Sequence, residues 1–318
     1  MVTLTDVAKR ANVSKMTVSR VINHPEQVTD ELKELVFQAM KELNYKPNVA
    51  AKALAHNRTQ VIKLFILEEM DTTEPYYMNL LMGISKELDN HQYSLQLVSE
   101  NSFDIGQCDG YIITGMRDKD YDWINGIEKP VILFGENRYG YDFVDTNNQQ
   151  GTYLATKHAL ACGYEHIIFI GIDVMEPFEF SREAGYINAM QEADMLPQIL
   201  KFDNRSRYTA RYIDENFASF SKNTAFVCSS DRLAFGIQRG LLAKEATIPH
   251  DFGIVGFDGV FLDQIAYPRL TTIKQNVVEM GSACAKMLLN KIEQKGAPQG
   301  NRLFDPELII RGSTKGES

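Results

Sequence analysis

Apolar positions in the first 45 residues recur at helical spacing. Leu4, Val7, Ala8 and Ala11 stand at i, i+3, i+4 and i+7, one face of a short helix. The tetrad Ala11-Asn12-Val13-Ser14 breaks that pattern. Asn12 tolerates a left-handed turn conformation, and Ser14 suits the N-cap of a second helix. In the second helix Val18, Val21 and Ile22 form the buried face, while Lys15, Met16, Thr17, Ser19, Arg20 and Asn23 share the other. A third helix is expected behind Thr29 as cap, with Asp30 and Glu31 in the first turn, where the helix dipole favours acids. Its apolar stripe is Leu32, Leu35, Val36, Ala39, Met40 and Leu43, and Asn44 and Pro47 close it.

From Val61 onward the period changes. Short apolar runs at Val61–Leu67, Tyr93–Val98, Gly110–Thr114, Val131–Phe134, His166–Ile172, Ala225–Ser229 and Phe252–Phe257 read as strands. Helical patterns intervene, such as Tyr77, Leu80, Leu81, Ile84 and Leu88. Strands alternating with helices predict parallel sheets covered on both faces, and the length suits two such lobes. Only Ser99 to Asp109 separate the second and third strand candidates, and Gly106 lies among them. A crossover with its own helix needs roughly ten residues at minimum, so the helix there is expected to be missing or reduced to one turn.

Composition narrows the classes. The 318 residues, 44% hydrophobic and 24% charged, suit a folded chain of two or three domains. No apolar run approaches the ~18 residues of a membrane span, and Asp6, Lys9 and Arg10 fall where a signal peptide would be apolar. Cys108, Cys162, Cys228 and Cys284 form no CxxC pair, so they read as reduced small hydrophobes of a cytoplasmic protein. The net charge of −9 is uneven. Residues 1–60 hold nine Lys/Arg against six Asp/Glu, and the rest hold 24 against 36, so a head of +3 precedes a body of −12. A basic head on an acidic body suggests one polyanion-binding segment.

Three short helices with a tight turn between the first two describe a helix-turn-helix module, whose second helix offers its first residues to base edges. Lys15 suits guanine O6 or N7, and Met16 a thymine methyl. Thr17, Ser19, Arg20 and Asn23 offer donors to phosphates or bases. A small helical bundle with a solvated polar face fits the same pattern. Common catalytic signatures are absent from the sequence: no GxGxxG, P-loop, GxSxG or HExxH occurs. Asp118-Lys119-Asp120-Tyr121-Asp122 starts like a calcium loop, but Trp123 takes the place of the glycine and Lys129 that of the bidentate glutamate. Neither metal nor organic cofactor is expected, nor an enzyme.

The run Thr3-Leu4-Thr5-Asp6-Val7-Ala8-Lys9-Arg10-Ala11-Asn12-Val13-Ser14, followed by Thr17-Val18-Ser19-Arg20-Val21-Ile22-Asn23, closely resembles the lactose-repressor (LacI/GalR) family of bacterial transcription regulators. Leu43-Asn44-Tyr45-Lys46-Pro47-Asn48 and Ala50-Ala51-Lys52-Ala53-Leu54 resemble it too, and similar segments continue to the C-terminus. The resemblance implies an all-α DNA-binding domain over residues 1–47, a hinge helix and linker over 48–60, and a two-lobed, doubly wound periplasmic-binding-protein-like α/β core over 61–318 that binds effector and dimerises. It adds Thr5, Tyr45, Asn48, Ala51 and Leu54 to the DNA-contacting residues. Leu54 matches an apolar wedge that enters the minor groove and kinks the duplex, and Ala50 and Ala53 would let two hinge helices approach closely. Alone, so short a helix is marginal in water.

For the cleft, the resemblance points to Tyr76 and Tyr77, Arg182, Ser230 and Asp258, with Phe202 as a further aromatic wall. A guanidinium and a carboxylate converging on a polyol supply bidentate hydrogen bonds, and aromatics cover the apolar face of a sugar ring. Asp231 reads as a helix N-cap, and Asn147-Asn148 to Gly151 departs from the family's Asp-Asn-x-x-Gly run. The expected protein is a ligand-responsive regulator that binds a palindromic operator as a homodimer, with a small-molecule effector, a sugar or sugar derivative, in the cleft. Only Lys315 to Ser318 follow the family's usual final strand, which predicts a dimer rather than a tetramer. A sugar-binding protein without DNA function is the competing reading.

Overall fold

A computed structural model describes residues 2–23, 25–45, 58–67, 75–98 and 106–316. Two compact units form, one from the first 61 residues with Gly106–Asp109, the other from the rest. In the first, α1 (Leu4–Arg10), α2 (Lys15–Asn23) and α3 (Asp30–Glu42) enclose a core of Val7, Ala8, Ala11, Val18, Val21, Val36 and Ala39. Both signals expected at the turn are in place: Asn12 holds φ +54, and Ser14 Oγ accepts the Thr17 N–H at 3.0 Å. Thr3 and Asp6 add a reciprocal capping box on α1 that the sequence reading does not name. The expected hinge, with Asn48, Ala51 and Leu54, lies outside the described residues.

The second unit holds two six-stranded sheets. In chain order its elements are β1 (Val61–Ile66), α4 (Tyr76–Asn90), β2 (Ser94–Val98), β3 (Gly110–Thr114), α5 (Tyr121–Asn125), β4 (Val131–Phe134), β5 (Phe143–Thr146) and α6 (Asn148–Ala161). There follow β6 (His166–Ile172), α7 (Pro177–Glu192), β7 (Gln198–Phe202), α8 (Ser206–Asn216), β8 (Thr224–Cys228), α9 (Asp231–Ala243) and β9 (Phe252–Asp258). The last are α10 (Leu262–Ile265), β10 (Thr271–Lys274), α11 (Val277–Glu293), β11 (Asn301–Phe304) and β12 (Glu307–Ile309). The first sheet runs β11-β5-β4-β3-β1-β2 and the second β12-β10-β9-β8-β6-β7, with β12 antiparallel to β10.

Strands β3, β4 and β8 are buried along their whole length, as parallel strands covered on both faces must be. Helices α4 and α11 pack together over the first sheet through Leu80, Ile84, Leu88, Met280 and Leu288. Their closest approach needs Gly83, because a Cβ there would stand 2.0 Å from the Val278 carbonyl oxygen. Four strands escaped the sequence reading, β5, β7, β10 and β11, while β12 falls at the start of the final strand that the resemblance implies. Residues 99–105 of the short crossover lie outside the described residues, so the expected loss of its helix stays an expectation.

The chain passes between the lobes three times: from β5 to α6, from β10 to α11, and from β11 to β12. Parallel order turns the carboxyl ends of the strands toward a shared cleft, where ligands of such sheets bind.

Candidate functional site

The helix-turn-helix presents α2 with its two faces divided as its spacing predicts. Val18 and Val21 are buried, while Lys15, Met16 and Arg20 are exposed, Met16 by 70%. An unbranched apolar side chain so exposed in a helix's first turn gains nothing for the fold. Thr17 and Ser19 are half-buried; Thr17 Oγ1 shares a 2.8 Å hydrogen bond with Ser14 Oγ, which fixes the start of the helix. Thr5 is exposed on α1. Tyr45 is half-buried and packs its ring on the small core, its N–H donating to the Met40 carbonyl at 2.8 Å. No acid stands in the first turn of α2, so its positive end stays uncompensated there.

Between the lobes lies a cavity of about 830 Å³, lined by Tyr76, Tyr77, Arg182, Ser230 and Asp258 among others. Five of the six expected cleft residues therefore meet at one place. Phe202 does not. It is the last residue of β7, and its ring turns into the second lobe's core against Tyr212, 5.1 Å between centroids. The residues that follow it, Asp203 and Asn204, line the cavity instead. Tyr76 packs edge-on against Tyr77 and Phe134 at the first lobe's wall.

Arg182 is held from several sides. Its Nε donates to Asn148 Oδ1 at 2.9 Å, its Nη1 to the Ser229 carbonyl at 2.6 Å, and the guanidinium lies 3.8 Å from the centre of the Phe257 ring. Glu179, one turn earlier on α7, accepts the Ile172 N–H at 2.9 Å and the Ser229 hydroxyl. Burial pushes its carboxyl up, against the pull of Arg182.

Ser230, not Asp231, caps α9. Its Oγ accepts the Leu233 N–H at 3.2 Å and donates to Asn204 at 2.7 Å. The Asp231 carboxylate is buried behind the cleft, where it accepts the Thr272 hydroxyl at 2.6 Å and the Gly259 N–H at 2.8 Å. Burial and neighbouring Asp258 hold its carboxyl well above the ordinary range. Asp258 ends β9 at φ +124, a backbone conformation unfavourable for any residue with a Cβ. Gln275 Nε2 donates to its Oδ1 at 2.9 Å, so this strained corner is tied from both β9 and the β10 side.

Residue-by-residue matching missed Glu136, Asp145, Asp173, Asn204 and Gln275, all of which line the cavity. The first polar positions after the legible strands β4 and β6 point to Glu136 and Asp173, whereas Asn204 and Gln275 follow β7 and β10, which show no period in the sequence. Asp145 lies within β5 itself. Its carboxylate accepts the Glu136 N–H at 2.8 Å, the Thr146 N–H at 2.7 Å and Asn148 Nδ2 at 3.1 Å, and burial pushes it up to about 6. The four cysteines are free, and no cluster of three potential metal ligands occurs among the described residues.

Comparison with known proteins agrees with this geometry. Residues 3–48 match the family described as bacterial regulatory proteins, lacI family, and residues 156–314 match a periplasmic binding protein-like domain. The uncharacterized HTH-type transcriptional regulator YvdE of Bacillus subtilis (strain 168) is 58% identical over 315 residues, covering 99% of this chain and 100% of its own. The HTH-type transcriptional repressor PurR of Haemophilus influenzae (strain PittEE) is 30% identical over 340 residues, 99% of each chain. Among solved structures, a complex of the transcriptional regulator CelR with cellobiose superposes with TM-score 0.72 at 24% identity, over 98% of this chain and 100% of that one. The lac repressor dimer bound to operator and the anti-inducer ONPF gives 0.73 at 24% identity, over 98% of this chain and 99% of that one.

Proposed function

The chain belongs to the lacI family of bacterial regulatory proteins and is a transcriptional regulator with a DNA-binding and an effector domain, and from that premise we propose that it is a sugar-responsive repressor. It acts as a homodimer on a pseudo-palindromic operator in the cytoplasm. Lys15, Met16, Thr17, Ser19, Arg20 and Asn23 read the major groove; Thr5 and Tyr45 support the placement. Residues 48–56 form the hinge, with Asn48, Ala51 and Leu54 at the minor groove. Exposed Met78 and Met82 on α4, with Ile265 at the end of α10 and Tyr267 after it, support a second copy as partner. Among the described residues no helix is long and apolar enough to cross a membrane.

The partnering of charges in the cleft is the observation that carries the sugar reading. Each of its four arginines has a partner: Arg117 with Glu176 at 3.8 Å, Arg205 with Asp203 at 3.7 Å, Arg232 with the Asn204 carbonyl at 3.1 Å, and Arg182 as above. Glu136, Asp145, Asp173 and Asp258 line the same cavity. Such a lining disfavours an anionic ligand and suits neutral hydroxyls, and the Tyr76, Phe134 and Phe178 rings suit the apolar face of a sugar. The relative names are consistent with this, since a cellobiose complex stands among the structural neighbours.

Selection of bound duplexes from a random DNA pool by the full chain, followed by gel shift with cellobiose, ribose and glucose 6-phosphate, tests the reading. A palindromic consensus released by a neutral sugar is expected; a response to glucose 6-phosphate alone defeats it. Leu54→Ala should weaken the selected operator by ~10-fold or more while sparing the fold, because a wedge offsets an unstacking cost of a few kcal/mol.

A further inference from the structure

The cleft contains a hydrogen-bonded chain that family matching does not assign. It begins at Asp145, the last buried acid of the first lobe, and ends at Arg182 in the second. Asn148 lies between them, 2% exposed, at the point where the chain first passes between lobes. Its Nδ2 donates to Asp145 Oδ2 at 3.1 Å and to the Thr146 carbonyl at 3.1 Å, and its Oδ1 accepts from Arg182 Nε at 2.9 Å. One planar amide thus satisfies a carboxylate on one edge and a guanidinium on the other. We propose that Asp145 and Asn148 are positioning residues of the cleft, a buried relay that directs the Arg182 guanidinium and passes to it the charge state of Asp145.

Three features support this. A bare carboxylate beside a guanidinium would form a direct ion pair; here an amide is interposed, so the arginine keeps its orientation without surrendering its charge to the acid. The amide lies in a dry setting, where polarisation passes along hydrogen bonds more strongly than in water. The charges acting on Asp145 are also few. Glu136 from the β4–β5 loop raises its carboxyl and Arg182 from α7 lowers it, while Glu179 acts on Arg182 from α7 itself. Burial outweighs these and sets Asp145 to titrate at about 6. The role matters for effector binding only if the cleft is the effector site, as proposed above.

Full-length protein labelled with ¹⁵N-arginine gives a side-chain Nε–H signal for Arg182, assigned by its loss in Arg182→Lys. Between about pH 5 and about pH 8 that signal should titrate with a midpoint near Asp145's value. Asp145→Asn should abolish the titration, and Asn148→Leu should remove most of its amplitude. Asn148→Ser, too short to bridge, should do the same if the leucine variant does not fold. A flat Arg182 signal in the wild type, or the same titration in folded Asn148 variants, overturns the relay. Cellobiose, maltose and ribose are then added. A shift of the Arg182 signal joins relay to ligand. An intact titration that no sugar perturbs keeps the relay and removes the sugar reading.

Discussion

The two functional regions of this chain are built on opposite principles. On α2 the proposed DNA contacts Lys15, Met16 and Arg20 stand out in water, and the core beneath them consists of valines and alanines that make no use of them. In the cleft, Asp145, Arg182 and Ser230 are themselves buried, and with Asp231 behind them they hold the strand ends together. Function separates from stability in the first region and is fused to it in the second. The physical reason is solvent. A duplex brings its own charge to an exposed face, whereas a small ligand must be met by polar groups already withdrawn from water.

That contrast is easiest to break at Arg182. Arg182→Ala should cost the fold about 3–6 kcal/mol, because a hydrogen bond to a charged group in the interior is worth ~1.5–3 kcal/mol and two are lost. Effector affinity should fall by roughly 10- to 150-fold, and by a similar factor in Asp258→Ala. Urea denaturation and calorimetry measure the two costs separately. A cleft variant of wild-type stability that loses effector binding would place these residues in the same class as those of α2.

Asp145 sharpens the comparison through pH. Its folded-state value of about 6 lies above the ~3.9 of an unfolded aspartate, so the folded protein binds this proton more tightly. The stabilisation it provides is complete below the unfolded value and is lost as pH rises through about 6, a total of about 3 kcal/mol. Asp145→Asn should therefore gain stability relative to wild type as pH goes from 4 to about 7. Paired urea titrations at the two ends of that window show the sign.

For α2 the expected pattern is reversed. Lys15→Ala and Arg20→Ala should each weaken the operator by about 1–3 kcal/mol where they read a base, or less where they meet phosphate, with a changed salt slope. Thermal melting should move by no more than a solvent-facing change does, ~0.5 kcal/mol either way. The smallest effect belongs at the rim of the cleft. Arg138, exposed, lies 4.7 Å from the Phe180 ring across the lobes, and Arg138→Ala should cost less than about 1 kcal/mol. A larger loss would show that the rim, not the floor, holds the lobes together.

The helix-turn-helix was legible because its signals are local. Spacing of apolar residues, the Asn12 turn, the Ser14 cap and the exposed face of α2 all sit within four residues of what they act upon. Thr29 was a partial success: it is the N-cap residue of α3, yet its side chain makes no capping bond. The missed strands β5, β7, β10 and β11 are four or five residues long and carry polar or charged positions, so no period emerges over so short a run.

Ser230 and Asp231 illustrate the limit most clearly. Both residue types cap helices, and nothing in a linear chain distinguishes neighbours. Only the arrival of Gly259 and Thr272, from β9 and β10, drew the aspartate inward and left the cap to the serine. The same holds at Phe202, where the end of β7 faces one residue into the core and the next into the cleft.

The sequence by itself determined the helix-turn-helix, the exposed face of α2 and the longer apolar strands, because periodicity is a property of the chain read along its length. Which acid is buried, which serine caps and which amide joins Asp145 to Arg182 were decided by the tertiary structure alone. Those outcomes depend on desolvation and on partners 28 to 41 residues away, and neither exists until the lobes have packed.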